Sequence, residues 1–188
     1  SHRPRQPRTA TCTHAGSLGL FLEPGADLVR CRLEEAAHSS LVTLDPNIRP
    51  TLLADLGRTR VAFERLLPLA KVVKLSDEDA GWLYPGMPER EVVRHLLGAG
   101  PTVVAVTRGP QGCVMASGEF VVEVPAVRTD VVDTIGAGDS FMGALLHQLM
   151  VSGLTADVLA GETLWPEELD LLGRRAAQVA AVTVSRPG

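Results

Sequence analysis

The heptamer Asp133-Thr134-Ile135-Gly136-Ala137-Gly138-Asp139 gathers residue types that can do chemistry together. Its glycines free the backbone to aim successive N–H groups at one spot. Behind it, Phe141, Met142, Leu145, Leu146 and Leu149 fall on one face of a predicted helix. The positive end of that helix dipole completes an anion hole. A carboxylate at the mouth of such a hole is repelled by the bound anion, so Asp139 makes sense there only if it takes part in the chemistry. Beside a phosphoryl group in transfer it can orient and deprotonate the attacking hydroxyl. The plainer alternative makes Asp139 a helix cap and the glycines a tight turn. Two other glycine loops are excluded by spelling. A dinucleotide fingerprint needs glycine at position 141, where Phe141 stands, and a P-loop needs Gly-Lys-Ser/Thr, where the chain has Gly143-Ala144-Leu145.

Apolar runs of strand length alternate with stretches of helix length, and these must position the heptamer. Strands are expected at Ser40–Leu44, Lys71–Leu75 and Thr102–Thr107, a hairpin at Cys113–Ala116 and Phe120–Val124, and a short strand at Val131–Thr134. Helices are expected over Thr51–Leu67, with Leu52, Leu53, Leu56, Val61 and Leu66 on one face, after Ser76 as N-cap, over Glu89–Leu97, and from Glu167 to about Ala181. Such alternation predicts an α/β fold, a mainly parallel sheet with helices on both faces. Ligands bind at the carboxyl ends of such strands. The polar and glycine-rich clusters fall there: Asp45-Pro46-Asn47, Ser76-Asp77, Thr107-Arg108-Gly109, and Asp133 through Asp139. If the strands are parallel neighbours, the four clusters converge on one rim.

The heptamer resembles the C-terminal signature of the ribokinase-like, or PfkB, family of carbohydrate kinases. The resemblance implies a three-layer α/β/α fold, Asp139 as catalytic base, and the backbone of Gly136, Ala137 and Gly138 as anion hole. Thr107-Arg108-Gly109-Pro110-Gln111-Gly112 is similar to the family's nucleotide-binding turn, so Thr107, Arg108, Gly109, Gln111 and Gly112, with Gly138, are expected to meet ATP. Ser76 and Asp79 occupy the place of an Asn-x-x-Glu motif that acts on Mg²⁺ and phosphates, with serine and aspartate for its asparagine and glutamate. Asp45-Pro46-Asn47-Ile48-Arg49-Pro50 looks like a segment of the fructokinase and ketodeoxygluconate kinase branches, with Arg49 neutralising charge on the transferring phosphate. Trp82-Leu83-Tyr84-Pro85-Gly86 adds to the fructokinase likeness, although core packing is the plainer role for Trp82. Asp133, Ile135 and the 183–188 stretch correspond to a monovalent-cation site, taking K⁺. ATP-dependent phosphorylation of a sugar hydroxyl follows, fructose favoured, with ketodeoxygluconate- or ribokinase-type specificity and a catalytically inactive nucleotide-binding fragment as alternatives. The likeness runs from His14 to Gly188 and covers the C-terminal portion of such a kinase. The upstream aspartate that grips the sugar, the Gly-Gly motif over it, and the β lid through which family members form homodimers have no match here.

The 188 residues suit one domain with a real core. Hydrophobic residues at 45% and charged ones at 21% exclude a largely disordered chain. A net charge of −4 argues against a nucleic-acid partner. Cys12, Cys31 and Cys113 are too scattered for a disulfide framework or a zinc cluster, which favours a reducing, cytoplasmic setting. No apolar run reaches the ~18–20 residues that cross a bilayer. Residues 1–13, rich in arginine and proline at their start, are expected to be a disordered arm. Ala15-Gly16-Ser17-Leu18-Gly19 is one substitution from a hydrolase nucleophile elbow, but the polar Thr9–Thr13 stretch before it makes a poor strand for one.

Overall fold

The computed structural model describes residues 12–53 and 55–187. Six strands form one sheet in the order β1(Cys12–Gly16), β2(Leu41–Asp45), β3(Val72–Ser76), β4(Val103–Thr107), β5(Cys113–Ser117), β6(Phe120–Val124). β1 through β4 are parallel, and β4–β5–β6 is an antiparallel meander. Helices α1(Gly25–Ala36), α2(Leu56–Glu64), α3(Asp77–Leu83) and α4(Glu89–Gly98) connect the parallel strands; α5(Ala137–Val151), α6(Thr155–Ala160) and α7(Pro166–Val184) follow the meander.

A strand buried on both sides reads as a continuous apolar run, and successive side chains then serve two different cores. Val42, Leu44, Val73, Leu75, Val104 and Val106 pack with Leu33, Phe63, Leu83 and Leu96 from α1–α4. Leu41, Val72, Val103 and Ala105 pack with Phe141, Leu145, Leu149, Leu169 and Leu172 from α5 and α7. The result is the three-layer α/β/α architecture expected of a ribokinase-like fold. No described helix is long and apolar enough to cross a membrane.

Local chemistry sets the helix starts. Ser76 Oγ accepts from the Asp79 amide at 3.0 Å while the Asp79 carboxylate accepts from the Ser76 amide at 3.3 Å, a reciprocal capping box that opens α3. Gly136 caps α5 from the left-handed region at φ 77°, a conformation that glycine alone enters freely.

The structure departs from the expected elements in several places. Val131–Thr134 is not a strand: the amides of Val132 and Asp133 both donate to the Val184 carbonyl, at 2.8 and 3.2 Å, so this stretch is held by the end of α7. The helix expected from Thr51 begins at Leu56, because Asp55 caps it by accepting from the Arg58 amide at 2.9 Å. Its buried side is Thr59 and Phe63, while Leu52 and Val61 are 59% and 48% exposed. Helix α1 had no signal in the periodicity, since Leu33 is its single fully buried residue. Finally, Cys12 and Thr13 open β1 rather than ending an arm; the rest of that expected arm, residues 1–11, lies outside the described residues.

Candidate active site

The four polar clusters do converge. A cavity of about 260 Å³ at the carboxyl ends of β2, β3 and β4 is lined by Asn47, Arg49, Lys74, Ser76, Thr107 and Gly138, among others. Trp82 and the exposed Glu78 stand on its wall. One residue comes from each cluster, which is the convergence that a parallel sheet imposes on its C-terminal rim.

The turn Gly136–Gly138 leads into the first turn of α5, with Asp139 exposed one residue later. Ser140 donates its amide to the Gly136 carbonyl at 2.9 Å and accepts at Oγ from Thr183 Oγ1 at 2.7 Å, so the turn is braced against the end of α7. Free amides at the N-terminus of a fifteen-residue helix attract an anion, but the Ala137 amide is not one of them, since it donates to the Thr134 carbonyl at 3.2 Å. Asp139 is solvent-exposed beside that turn and, like Gly136 and Ala137, is not among the residues that line the cavity.

Asp79 has a second role beyond capping α3. Its Oδ1 accepts from the Ile48 amide at 2.8 Å, tying the loop after β2 to the start of α3. Asn47 in that loop sits at φ 42°, an uncommon left-handed conformation that the clamp helps to hold. Exposed Arg49 follows, with Nη1 donating to the Ile48 carbonyl at 3.3 Å. At 6% exposure and with both oxygens bound to amides, Asp79 fits a metal ion through water and not by direct ligation.

At the floor, Lys74 Nζ donates to Asp45 Oδ2 at 2.7 Å, with 5% and 4% of the two side chains exposed. Burial pushes the Asp45 carboxyl above its ordinary range, and the ammonium of Lys74 opposes that shift. Sequence reasoning assigned neither residue a role. Their signal was available: opposite charges inside buried strands imply a partner.

Other expected residues lie elsewhere. Only Thr107 of the expected nucleotide turn lines the cavity. Arg108 turns away toward Glu89 and Glu123, at 3.7 and 3.5 Å. Gly109 and Gln111 form an exposed 3₁₀ turn, and Gly112, at φ 91°, is pressed so closely against the backbone of Val124 to Ala126 that a Cβ has no room. Asp133 Oδ1 accepts from the Ile135 amide at 2.9 Å, and Ile135 is 76% exposed, outside the cavity. Among the described residues no three His, Cys, Asp or Glu side chains form a metal cluster. Ser17 does follow a strand at φ 58°, but the adjacent His14 pairs through Nδ1 with Thr43 Oγ1 at 2.9 Å, and no hydrogen bond joins Ser17 to a histidine among the described residues.

Comparison with known proteins bears on the family and the fold. A fructokinase of Rhizobium leguminosarum bv. trifolii is 33% identical over 141 residues, which take in 75% of this chain and 43% of that protein. The crystal structure of a fructokinase with bound ATP from Xylella fastidiosa superposes with a TM-score of 0.79 at 26% identity, over 95% of this chain and 56% of that one. An aminoimidazole riboside kinase from Salmonella enterica, complexed with aminoimidazole riboside and an ATP analog, gives 0.74 at 25% identity, over 94% and 57%. The chain spans about half the length of these relatives. The sequence also matches the pfkB family carbohydrate kinases over residues 10–188. A match of that extent settles membership: the chain belongs to the pfkB family of carbohydrate kinases.

Proposed function

We propose that the protein transfers the γ-phosphoryl group of ATP to a hydroxyl of a sugar, fructose being favoured. The observation that carries this reading is the Gly136–Gly138 turn at the N-terminus of α5, with Asp139 beside it and the cations Arg49 and Lys74 on the cavity below. The Asp139 carboxylate takes the proton of the sugar hydroxyl, whose oxygen forms a bond to the γ-phosphorus while the bond to the β–γ bridging oxygen breaks and ADP leaves. The amides of the turn and the Arg49 guanidinium receive the charge that develops on the transferring group. Ser76 and Thr107 are the hydroxyls on the cavity wall that meet the phosphates. Mg²⁺ supplies charge neutralisation on the phosphates when bound, with Glu78 on the wall and Asp79 through water as its protein contacts. A K⁺ beside Asp133 and Ile135 belongs to the same reading, supported by the hydrogen bonds that the amides of Val132 and Asp133 make to Val184 at the end of α7. A cytoplasmic setting, where ATP is abundant, goes with it.

The resemblance to fructokinases in sequence favours fructose, and the riboside kinase among the structural neighbours makes a furanoside the next candidate. A second reading, for these 188 residues taken alone, is nucleotide binding with little turnover, since they span about half the length of the relatives they match. One assay separates the two. ADP release is followed over a panel of sugars, with Asp139→Asn as control. Fructose-dependent release that falls about 10²–10⁴-fold in the variant supports the kinase reading. Unchanged release in Asp139→Asn overturns the base assignment, and ATP binding without sugar-dependent release establishes the second reading.

A further inference from the structure

Asp45 and Lys74 place two opposite charges inside a sheet whose other strand residues are largely apolar. Desolvating such a pair costs more than its attraction reliably returns, so an apolar pair of similar volume would serve the fold as well. The surroundings give it another use. An ideal Cβ built on Gly138 stands 2.8 Å from Lys74 Nζ and 3.9 Å from its Cε. The ammonium therefore lies directly against the second glycine of the anion-hole turn. A free lysine end would swing aside from an intruding methyl group, but this one is pinned by Asp45 at 2.7 Å. Among the described residues that is its one hydrogen bond, so two of the three donors of an ammonium remain, and Lys74 lines the cavity. Asp45 Oδ1, buried with no partner, shows what the carboxylate gives up to hold the ammonium in place.

We propose that Asp45 and Lys74 are a positioning pair for the anion hole. Asp45 pins the ammonium, and the ammonium sets how closely the Gly136–Gly138 turn approaches the cavity while presenting a fixed positive charge to the anion bound there. The pair has no net charge, but its positive end faces Gly138 and its negative end lies on β2, so its field favours an anion at the turn. This inference rests on the phosphotransfer reading above, in which the turn receives the terminal phosphoryl group.

Calorimetric titration of the full chain with ATP and with AMP tests it. In Lys74→Met the side chain ends near the position of the lysine Cε, so charge and contact with residue 138 go while the apolar stem stays. The expected result is about tenfold weaker ATP binding with AMP binding unchanged, because AMP brings no phosphoryl group to the turn. Asp45→Asn, which unpins the charge without removing it, is expected to lose less. A melting-temperature cycle reads the contact without any nucleotide: Gly138→Ala lowers the midpoint in the parent chain and lowers it less in Lys74→Met. Parent-like ATP affinity in Lys74→Met, a parallel loss of ATP and AMP, or an equal effect of Gly138→Ala in both backgrounds overturns the proposal and leaves the kinase reading standing. Should circular dichroism show Lys74→Met unfolded, the double variant Lys74→Met/Asp45→Asn, which leaves no charge unpaired, carries the same expectations. A parent chain that binds ATP no more tightly than AMP overturns the kinase reading and this proposal with it.

Discussion

The two faces of the central sheet are built from the same strands and do opposite things. Toward α1–α4, β2, β3 and β4 present Val42, Leu44, Val73, Leu75, Val104 and Val106, every one fully buried and apolar. Toward α5 and α7 the alternate positions begin apolar, at Leu41, Val72 and Val103, and end polar, at Thr43, Asp45, Lys74, Ser76 and Thr107. A period of two lets one strand be core on one side and site on the other. The polar residues gather at the carboxyl ends because the N-terminus of α5 comes down there, where Gly138 meets Lys74. The first face is wholly core, and the rim of the second gathers the polar groups that line the cavity.

That division can be broken by experiment. The largest effect is expected at Cys113, which pairs with Thr107 across β4 and β5 at the border of the polar rim. Burial pushes its thiol up from 9.0 to about 12, which leaves about a thousandfold less thiolate than an ordinary cysteine offers in mildly alkaline buffer. Iodoacetamide mapped by mass spectrometry is expected to modify exposed Cys31 in the folded chain and Cys113 only after denaturation. Prompt labelling of Cys113 would mean that the wet rim extends further than the polar residues indicate. Next in size is Leu75→Ala, on the apolar face. It removes a fully buried side chain and is expected to cost about 2–5 kcal/mol in urea unfolding. The ratio of ATP to AMP affinity stays at its parent value wherever the variant is folded. A changed ratio would show that the faces are not separable. The smallest effect is expected from Asp79→Ala, which loses the capping box and the bond to the Ile48 amide for about 1 kcal/mol. Hydrogen exchange is expected to quicken at the Ile48 amide while the amides of β4 keep their protection. Uniform quickening would make Asp79 a residue of the whole domain instead of a clamp on the Arg49 loop.

Local chemistry was legible in the sequence at several features that depend on near neighbours. Phe120–Val124 has the same ends in sequence and structure, and Ser76 caps α3 as its residue type and setting predict. The glycine turn and Asp139 stand at the head of an amphipathic helix whose buried residues include Phe141, Met142, Leu145 and Leu149. Features that depend on distant partners were not legible. Val131–Thr134 has strand-forming residues but its amides are claimed by Val184, some fifty positions on, so it joins no sheet. Arg108 sits in a turn whose spelling suits a nucleotide, yet carboxylates on α4 and β6 draw its side chain to the opposite side of the rim.

The sequence by itself determined most of the strands and helices and the glycine turn at the head of α5, because glycine conformation, capping and hydrophobic period act over a few residues. Tertiary structure alone decided that Asp45 should meet Lys74, that Lys74 should lie beneath Gly138, and that Asp79 should hold Ile48. Those meetings follow from strand order and from where a helix lands on the sheet. Such long-range geometry is set by the packing of two whole cores, and no local spacing encodes it.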